Sequence, residues 1–378
     1  MAKDSKPFVF GVATSGENFT DREKETERLL RNFRNGVNTV LISPRRWGKT
    51  SLVRKAGSLA ASAALKVVYL DIFSCRDERD FYDAFAAAVL RQTSSKLEEW
   101  LDNARQFLSR LSPKVTFGTD PMTDFSLSLD LNPQSREVDE ILDLPEKIAR
   151  KKGCNIVVCI DEFQQIGEFA NAVHFQKRLR SAWQLQGSVS YCLFGSKKHL
   201  MNELFEKRSL PFYKFGDVLF LQKIGTDHWV RYICSRFEAT GKHITETLAE
   251  EICRRVENHS SYVQQLAWLV WVHTTHEADR EALDEAWQDI VDQNTPLFEK
   301  QTENLTTYQM NFLRAVTEGV HEELTTQKVI QKYQLGSSAN VNTVRRALIK
   351  KELIDIEERK AIIPDPILKA WLQRELHP

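Results

Sequence analysis

Two short groups of polar residues carry the chemistry that this sequence can perform. The first, Gly48-Lys49-Thr50, follows the apolar run 37–42 and opens the Ala/Leu-rich stretch 50–65. A buried strand, a loop ending in Gly-Lys-Thr and a helix form the arrangement that cradles a nucleoside triphosphate. Loop amides and the positive end of the helix dipole are expected to surround the β-phosphate.

The residues of this loop have separate expected roles. Lys49 is expected to reach the β- and γ-phosphate oxygens of ATP, and Thr50 to ligate Mg²⁺ through its hydroxyl. Ser43 stands where the usual G-x-x-x-x-G-K-T pattern has its first glycine. Because serine tolerates fewer backbone angles than glycine, the opening turn is expected to have ordinary dihedral angles. The predicted cofactor-binding residues are Ser43, Pro44, Arg45, Arg46, Trp47, Gly48, Lys49, Thr50 and Ser51.

The second group, Asp161-Glu162, ends the apolar run 155–160. Such a run places two carboxylates at the carboxyl edge of a central strand, where ligands bind in open α/β sheets. Asp161 is expected to hold Mg²⁺, largely through water, and Glu162 to orient and deprotonate the attacking water. Asp161 lies 112 residues after Lys49, with one strand between them, as in ATPases whose sheet has an extra strand. An Asp-Glu pair alone is a weak signal, and the two motifs together carry the prediction.

Ser196 is a third candidate, at the tip of a predicted strand over 188–194. A polar side chain there can touch the γ-phosphate and report hydrolysis. A plain turn serine is an equally weighted alternative. With Lys49 and Glu162, Ser196 completes the predicted catalytic set.

The rest of the first 224 residues predicts a parallel sheet flanked by helices. Thr20 and Glu23 form a predicted capping box for a helix over 21–33. Alternating polar and apolar residues within 113–131 predict a β-hairpin inserted at the edge of the main sheet. Further buried strands are predicted at 66–73 and 218–221.

The C-terminal part predicts a helical lid and then a winged helix-turn-helix. Residues 225–300 are helical by pattern, and 301–378 contain three helices and a hairpin. Residues 325–378 carry ten Lys/Arg and six Asp/Glu. Arg345, Arg346, Lys350 and Lys351 lie on the third helix and are possible nucleic-acid contacts. Such a module binds DNA or docks a protein, and both remain open.

Composition excludes a global electrostatic attraction to nucleic acid or membrane. The 378 residues include 52 basic and 52 acidic side chains, so any such binding needs a local patch. Six scattered cysteines without a C-x-x-C pair indicate a reducing compartment. The start lacks the apolar core of a signal peptide, and no run of 18 apolar residues appears. A cytoplasmic protein with no membrane partner is expected.

With these residues in place, the sequence resembles the archaeal-type ATPase family, a branch of the AAA+ and STAND-like P-loop ATPases also found in bacteria. The resemblance implies an α/β AAA+-like fold, ATP binding, slow hydrolysis, and a C-terminal winged helix behind a helical lid. Self-association is also possible in such a family. The motifs that carry the resemblance are 18–23, 43–51, Ile160-Asp161-Glu162-Phe163-Gln164, 194–196 and 365–367.

Two segments depart from the family pattern. Members often carry Tyr-Gly-Arg before the fifth strand, whereas this chain has Tyr213-Lys214-Phe215-Gly216. Arg208 and Lys214 are the candidates to replace an arginine that acts across a subunit boundary. The lid often carries a Gly-x-Pro turn that touches the nucleotide, and residues 258–262 stand in its place.

The predicted function is an ATP-binding, ATP-hydrolysing switch whose winged helix engages a protein partner or DNA. The alternatives are a non-catalytic nucleotide-binding scaffold and a DNA-binding regulator. A kinase of small metabolites is a weaker interpretation, because it leaves the winged helix unexplained.

Overall fold

The computed structural model describes residues 6–12, 19–108, 114–117, 125–128 and 138–376. They pack as two compact units, one of residues 19–223 and the other of residues 6–12 with 224–376. The N-terminal segment therefore belongs with the C-terminal half of the chain.

The first unit has an α/β architecture. In chain order its elements are α1 (Glu23–Arg34), β1 (Thr39–Ile42), α2 (Lys49–Ala60), β2 (Leu65–Asp71), α3 (Glu78–Thr93), α4 (Leu97–Leu108), β3 (Lys114–Phe117), β4 (Phe125–Ser128), α5 (Val138–Leu142), α6 (Leu144–Lys152), β5 (Asn155–Asp161), α7 (Ala172–Trp183), β6 (Val189–Gly195), α8 (Lys198–Glu206) and β7 (Asp217–Phe220).

Five of these strands form one parallel sheet in the order β2-β5-β6-β1-β7. In β1, Val40 and Ile42 pack into the core on one face of the sheet and Leu41 into the core on the other. A strand buried on both faces is typical of parallel sheets covered by helices. The register aligns Ile42 with Gly195 and Asp71 with Asp161, so the strands end together at one carboxyl edge. The predicted parallel sheet is confirmed.

Strand β2 lies at the edge of the sheet, and a glutamine side chain covers part of its free side. The Gln92 Nε2 donates to the Tyr69 carbonyl at 2.8 Å, and its Oε1 accepts from the Tyr69 N–H at 2.9 Å. These bonds take the place of those that a neighbouring strand would make. An uncovered edge strand is open to pairing with another chain, and the Gln92 side chain blocks part of this edge.

The predicted hairpin forms a sheet of its own. Strands β3 and β4 pair antiparallel, with Lys114 opposite Ser128 and Phe117 opposite Phe125. They join each other and not the main sheet, and β4 lies beside α3. The turn over 118–124 lies outside the described residues.

The start of α1 differs from the predicted capping box. Asp21 and Arg22 adopt left-handed angles, with φ of 58° and 75°, so the helix begins at Glu23 and Thr20 lies too far back to cap it. Arg22 instead pairs with Glu25 at 3.1 Å, three residues further along the chain.

The predicted helix over 50–65 is also too long. It ends at Ala60, because Ala61 turns to ψ 132°.

The second unit is helical apart from one hairpin. Its elements are α9 (Thr226–Glu238), α10 (Glu246–Arg255), α11 (Ser260–His273), α12 (Arg280–Thr302), α13 (Thr307–Thr317), α14 (Gln327–Tyr333), α15 (Ser338–Lys350), β8 (Asp355–Glu357), β9 (Lys360–Ile362) and α16 (Pro366–Leu376). The lid and the winged helix are confirmed. Helix α16 is an addition that the sequence pattern did not predict.

Helix α16 ties the winged helix to the lid through Asp365. One carboxylate oxygen of Asp365 accepts from the backbone of Ile367 at 2.9 Å and of Leu368 at 3.1 Å, which caps the helix. The other oxygen accepts from the Tyr262 hydroxyl of α11 at 2.7 Å. The lid and the winged helix also share one apolar core.

The N-terminal segment is anchored in the same core. The Phe8 ring is 2% exposed and makes edge-on contacts with Tyr232 and Phe237. The Val9 N–H donates to Gln264 Oε1 at 3.1 Å.

All six cysteines are free thiols, five of them buried. Burial raises the pKa of Cys75 and of Cys253 to about 12, so these thiols behave as small apolar side chains.

Among the described helices, none is both long enough and apolar enough to cross a membrane.

Candidate nucleotide site

The loop between β1 and α2 has the backbone that a phosphate loop needs. Ser43 is 1% exposed, and its hydroxyl donates to the Pro44 carbonyl at 3.1 Å. Positive φ angles occur at Arg46, with 63°, and at Gly48, with 86°, but not at Ser43. The expectation of ordinary angles at Ser43 is therefore confirmed. A side chain at position 48 would be strained, which explains the glycine before Lys49.

Thr50 and Asp161 meet at the carboxyl edge of the sheet. The Thr50 hydroxyl in the first turn of α2 donates to Asp161 Oδ2 at the end of β5, at 2.7 Å. The two oxygen ligands expected for Mg²⁺ therefore lie side by side. Hard oxygen ligands suit Mg²⁺, so the residues present fit this ion.

Glu162 is surrounded by three partners. Its Oε1 lies 3.4 Å from Lys49 Nζ, and its Oε2 accepts from Ser196 Oγ at 2.7 Å and from Gln164 Nε2 at 2.5 Å. Glu162 has a left-handed backbone with φ of 53°, and its N–H donates to Asp161 Oδ1 at 2.8 Å. The structure thus places two predicted catalytic side chains, Lys49 and Ser196, in contact with the third, Glu162.

The two adjacent carboxyls respond oppositely to this environment. Burial raises the pKa of Asp161 above its ordinary value, against the opposing influence of Lys49 and Thr50. Burial also acts to raise the pKa of Glu162. There the Lys49 charge and the hydrogen bonds from Gln164 and Ser196 outweigh it, and the pKa lies below its ordinary value. Glu162 is accordingly held as a carboxylate, the form that accepts a proton from water.

Two residues at the site have no role in the sequence-based prediction. Gln164 lies in a 3₁₀ helix, Phe163–Gly167, whereas the sequence pattern predicts one helix over 163–186. Its place two residues after Glu162 in a family motif is the one signal that pointed to it. Arg22 is 4% exposed, and its guanidinium lies 3.5 Å from the Trp47 carbonyl of the loop. Burial lowers the pKa of Arg22. Its place in the motif 18–23 is the signal that could have pointed to it.

Other predicted site residues lie further out. Arg45 and Arg46 are exposed, and Trp47 is half-buried with the Lys223 ammonium 5.9 Å from its ring centroid. Arg208 and Lys214, the candidates for an arginine acting between subunits, are both exposed.

The segment that replaces the lid turn has its own contacts. In this segment, Asn258 has φ of 57°, and its amide donates to Thr226 Oγ1 at 3.0 Å.

The four candidate nucleic-acid residues divide into two groups. Arg346 and Lys350 are exposed and lie one turn apart on α15, and Lys351 is exposed just beyond the helix end. Arg345 is half-buried, and its guanidinium donates to Asn342 Oδ1 at 2.8 Å. The outer face of this helix therefore carries Arg346 and Lys350, with Arg345 on its flank.

The family model for an ATPase domain found predominantly in Archaea matches residues 19–210, half of the chain. The chain belongs to this archaeal-type ATPase family. A second model, for a probable winged helix domain, matches residues 296–374. No curated protein matches the sequence.

Two solved structures of archaeal proteins are similar to this chain in fold. The Walker-type ATPase PABY2304 of Pyrococcus abyssi is similar with a TM-score of 0.69 at 16% identity, covering 97% of this chain and 99% of that one. The ORC2 protein of Aeropyrum pernix, solved as ADPNP-ADP complexes, has a TM-score of 0.59 at 14% identity, covering 100% and 99%. At such identities the likeness establishes the shared AAA+ fold.

Proposed function

We propose that this ATPase-family protein binds ATP with Mg²⁺ and hydrolyses it slowly, as a switch whose winged helix engages a macromolecular partner. The observation that carries the proposal is the contact of two motifs far apart in sequence. Thr50 lies 2.7 Å from Asp161, and Lys49 lies 3.4 Å from Glu162. A chance Gly-Lys-Thr at a helix start has no reason to meet a half-buried carboxylate pair.

Each residue has a defined task in this proposal. Lys49 and the loop amides bind the phosphates, while Thr50 and Asp161 hold Mg²⁺, which supplies charge neutralisation on the phosphate oxygens. Glu162 accepts the proton of the attacking water. Ser196 is bonded to Glu162, so we assign it the task of orienting this carboxylate rather than that of an isolated turn serine.

The experiment that tests the proposal is phosphate release from ATP by the purified protein, with and without Mg²⁺. Turnover that depends on Mg²⁺ and saturates with ATP is expected. Tight ATP binding without turnover would favour the scaffold alternative. Neither binding nor turnover would overturn the proposal.

The winged helix is proposed to dock a protein in preference to DNA. The hairpin turn of the same module exposes Glu357 and Glu358 next to Arg359. The module consequently lacks the uniformly positive surface that phosphate backbones attract. DNA remains the second candidate, because Arg346 and Lys350 are exposed on one face of α15.

The DNA alternative makes a quantitative prediction for Arg346→Ala combined with Lys350→Ala. If both side chains bind phosphates, the double variant binds all duplex sequences more weakly. The slope of log affinity against log salt concentration then falls by about 0.9 for each phosphate that is no longer neutralised. Fluorescence anisotropy with a labelled duplex measures the slope. Arg345→Ala is the matched control, with a smaller expected effect because its guanidinium is bonded to Asn342. No binding by wild type at roughly 50 mM salt, where ionic interactions are strongest, ends the DNA alternative.

A further inference from the structure

We propose that Gln164 is a positioning residue for Glu162. Gln164 and Ser196 hold one carboxylate oxygen of Glu162, while the other oxygen exchanges Lys49 for the attacking water as its partner. The inference rests on the proposed ATP hydrolysis. It adds a task that neither phosphate-binding nor metal-binding residues perform.

The two carboxylate oxygens of Glu162 have different partners. Oε2 receives two neutral donors, Ser196 Oγ at 2.7 Å and Gln164 Nε2 at 2.5 Å. Oε1 faces the Lys49 ammonium at 3.4 Å. A carboxylate held by a single donor can still rotate about that bond, whereas two donors on Oε2 fix the direction in which Oε1 points.

Nucleotide binding acts on only one of these oxygens. Lys49 must turn towards the β- and γ-phosphates, which carry more negative charge than a single carboxylate, so its ammonium moves away from Oε1. Nothing in the same step removes Gln164 or Ser196 from Oε2. Oε1 is thereby released, already oriented, as the acceptor for a water proton.

The Gln164 side chain is itself fixed by its surroundings. It is 2% exposed, and its Oε1 is buried with no hydrogen-bond partner among the described residues. A Cβ at Gly195 would lie 1.9 Å from that oxygen, so the amide rests directly on the glycine backbone. Turning the amide over would set its oxygen against the Glu162 carboxylate. A buried acceptor without a partner is unfavourable, and the bond to Glu162 explains why this orientation persists.

The first test compares Gln164→Leu with Gln165→Leu. The adjacent Gln165 is the matched control, because its amide donates to the Cys75 carbonyl at 3.4 Å and does not bind Glu162. We expect Gln164→Leu to lower kcat about tenfold, the scale of one hydrogen bond to a charged group, with the Kd of ATP unchanged. In a Glu162→Gln background the same substitution is expected to have little further effect, because its target is gone. Equal effects of the two leucine variants, or additivity with Glu162→Gln, would overturn the inference.

A second test needs no hydrolysis and uses the nucleotide-free protein. NMR of protein labelled with ¹⁵N in glutamine side chains reports each amide, and the Gln164 signal is identified by its disappearance in Gln164→Leu. We expect the hydrogens of this amide to exchange slowly with water and its chemical shift to change in Glu162→Gln. The chemical shift of the Gln165 amide is expected to stay the same. Fast exchange of the Gln164 amide with water, together with a chemical shift that does not change in Glu162→Gln, would contradict the proposed hydrogen bond. If wild type binds ATP without turnover, the proposed function fails, and this measurement still decides whether Gln164 holds Glu162.

Discussion

Lys49→Ala is expected to abolish ATP binding while leaving the fold intact. The Lys49 side chain is buried, and its ammonium faces the carboxylate edge of the sheet rather than the apolar core. Truncating one partner of a buried charge pair costs roughly 2–5 kcal/mol, or about 30-fold to several thousand-fold in affinity. Isothermal titration calorimetry with ATP and Mg²⁺ measures the drop in affinity, and circular dichroism checks the fold.

Arg54→Ala is a suitable control for this variant. Arg54 lies on the same helix but is exposed, over the Tyr69 ring. Its removal is expected to leave ATP affinity unchanged. An unaltered affinity in Lys49→Ala would remove the phosphate-loop assignment, since no other side chain is assigned to bind the β- and γ-phosphates as a cation.

Glu162→Gln is expected to retain ATP affinity and to slow hydrolysis at least about 100-fold, the usual scale for loss of a general base. The substitution keeps the size of the side chain and removes its ability to take up a proton. Steady-state phosphate release gives kcat, and equilibrium binding gives the Kd of ATP. Glu168→Gln is the control, because Glu168 is exposed and pairs with Lys197. Turnover at the wild-type rate in Glu162→Gln would show that another group is the base.

Much of the fold follows from apolar periodicity and turn residues, and the errors have local causes. Strand β5 is predictable almost to the residue because its β-branched apolar run has sharp polar boundaries, with Gly153 before it and Asp161-Glu162 at its end. The predicted start of α1 is wrong because the spacing of Thr20 and Glu23 suggests a capping box, whereas the left-handed angles at Asp21 and Arg22 delay the helix. The predicted end of α2 is too late, because the alanines beyond Ala60 favour a helix and the turn there depends on the pairing of β2.

Some residues of the candidate site are also predictable from the sequence, and others are not. Residue type and spacing are enough to select Lys49, Thr50, Asp161 and Glu162 as candidates, because few side chains suit the task proposed for each of them. The hydrogen bond from Gln164 is not predictable from sequence. It depends on a 3₁₀ helix after β5 and on the close approach of the amide to the glycine that ends β6. The burial of Arg22 depends likewise on packing across the fold.

The central claim is that one assembled site both binds and hydrolyses ATP. The most direct test is a time course of phosphate release at saturating ATP and Mg²⁺, with Lys49→Ala prepared in parallel as the background. Slow, linear release by wild type that continues beyond one phosphate per protein is expected, whereas Lys49→Ala is expected to release no more phosphate than buffer alone. Equal release by the two proteins, or none by a wild type that is saturated with ATP, would contradict it.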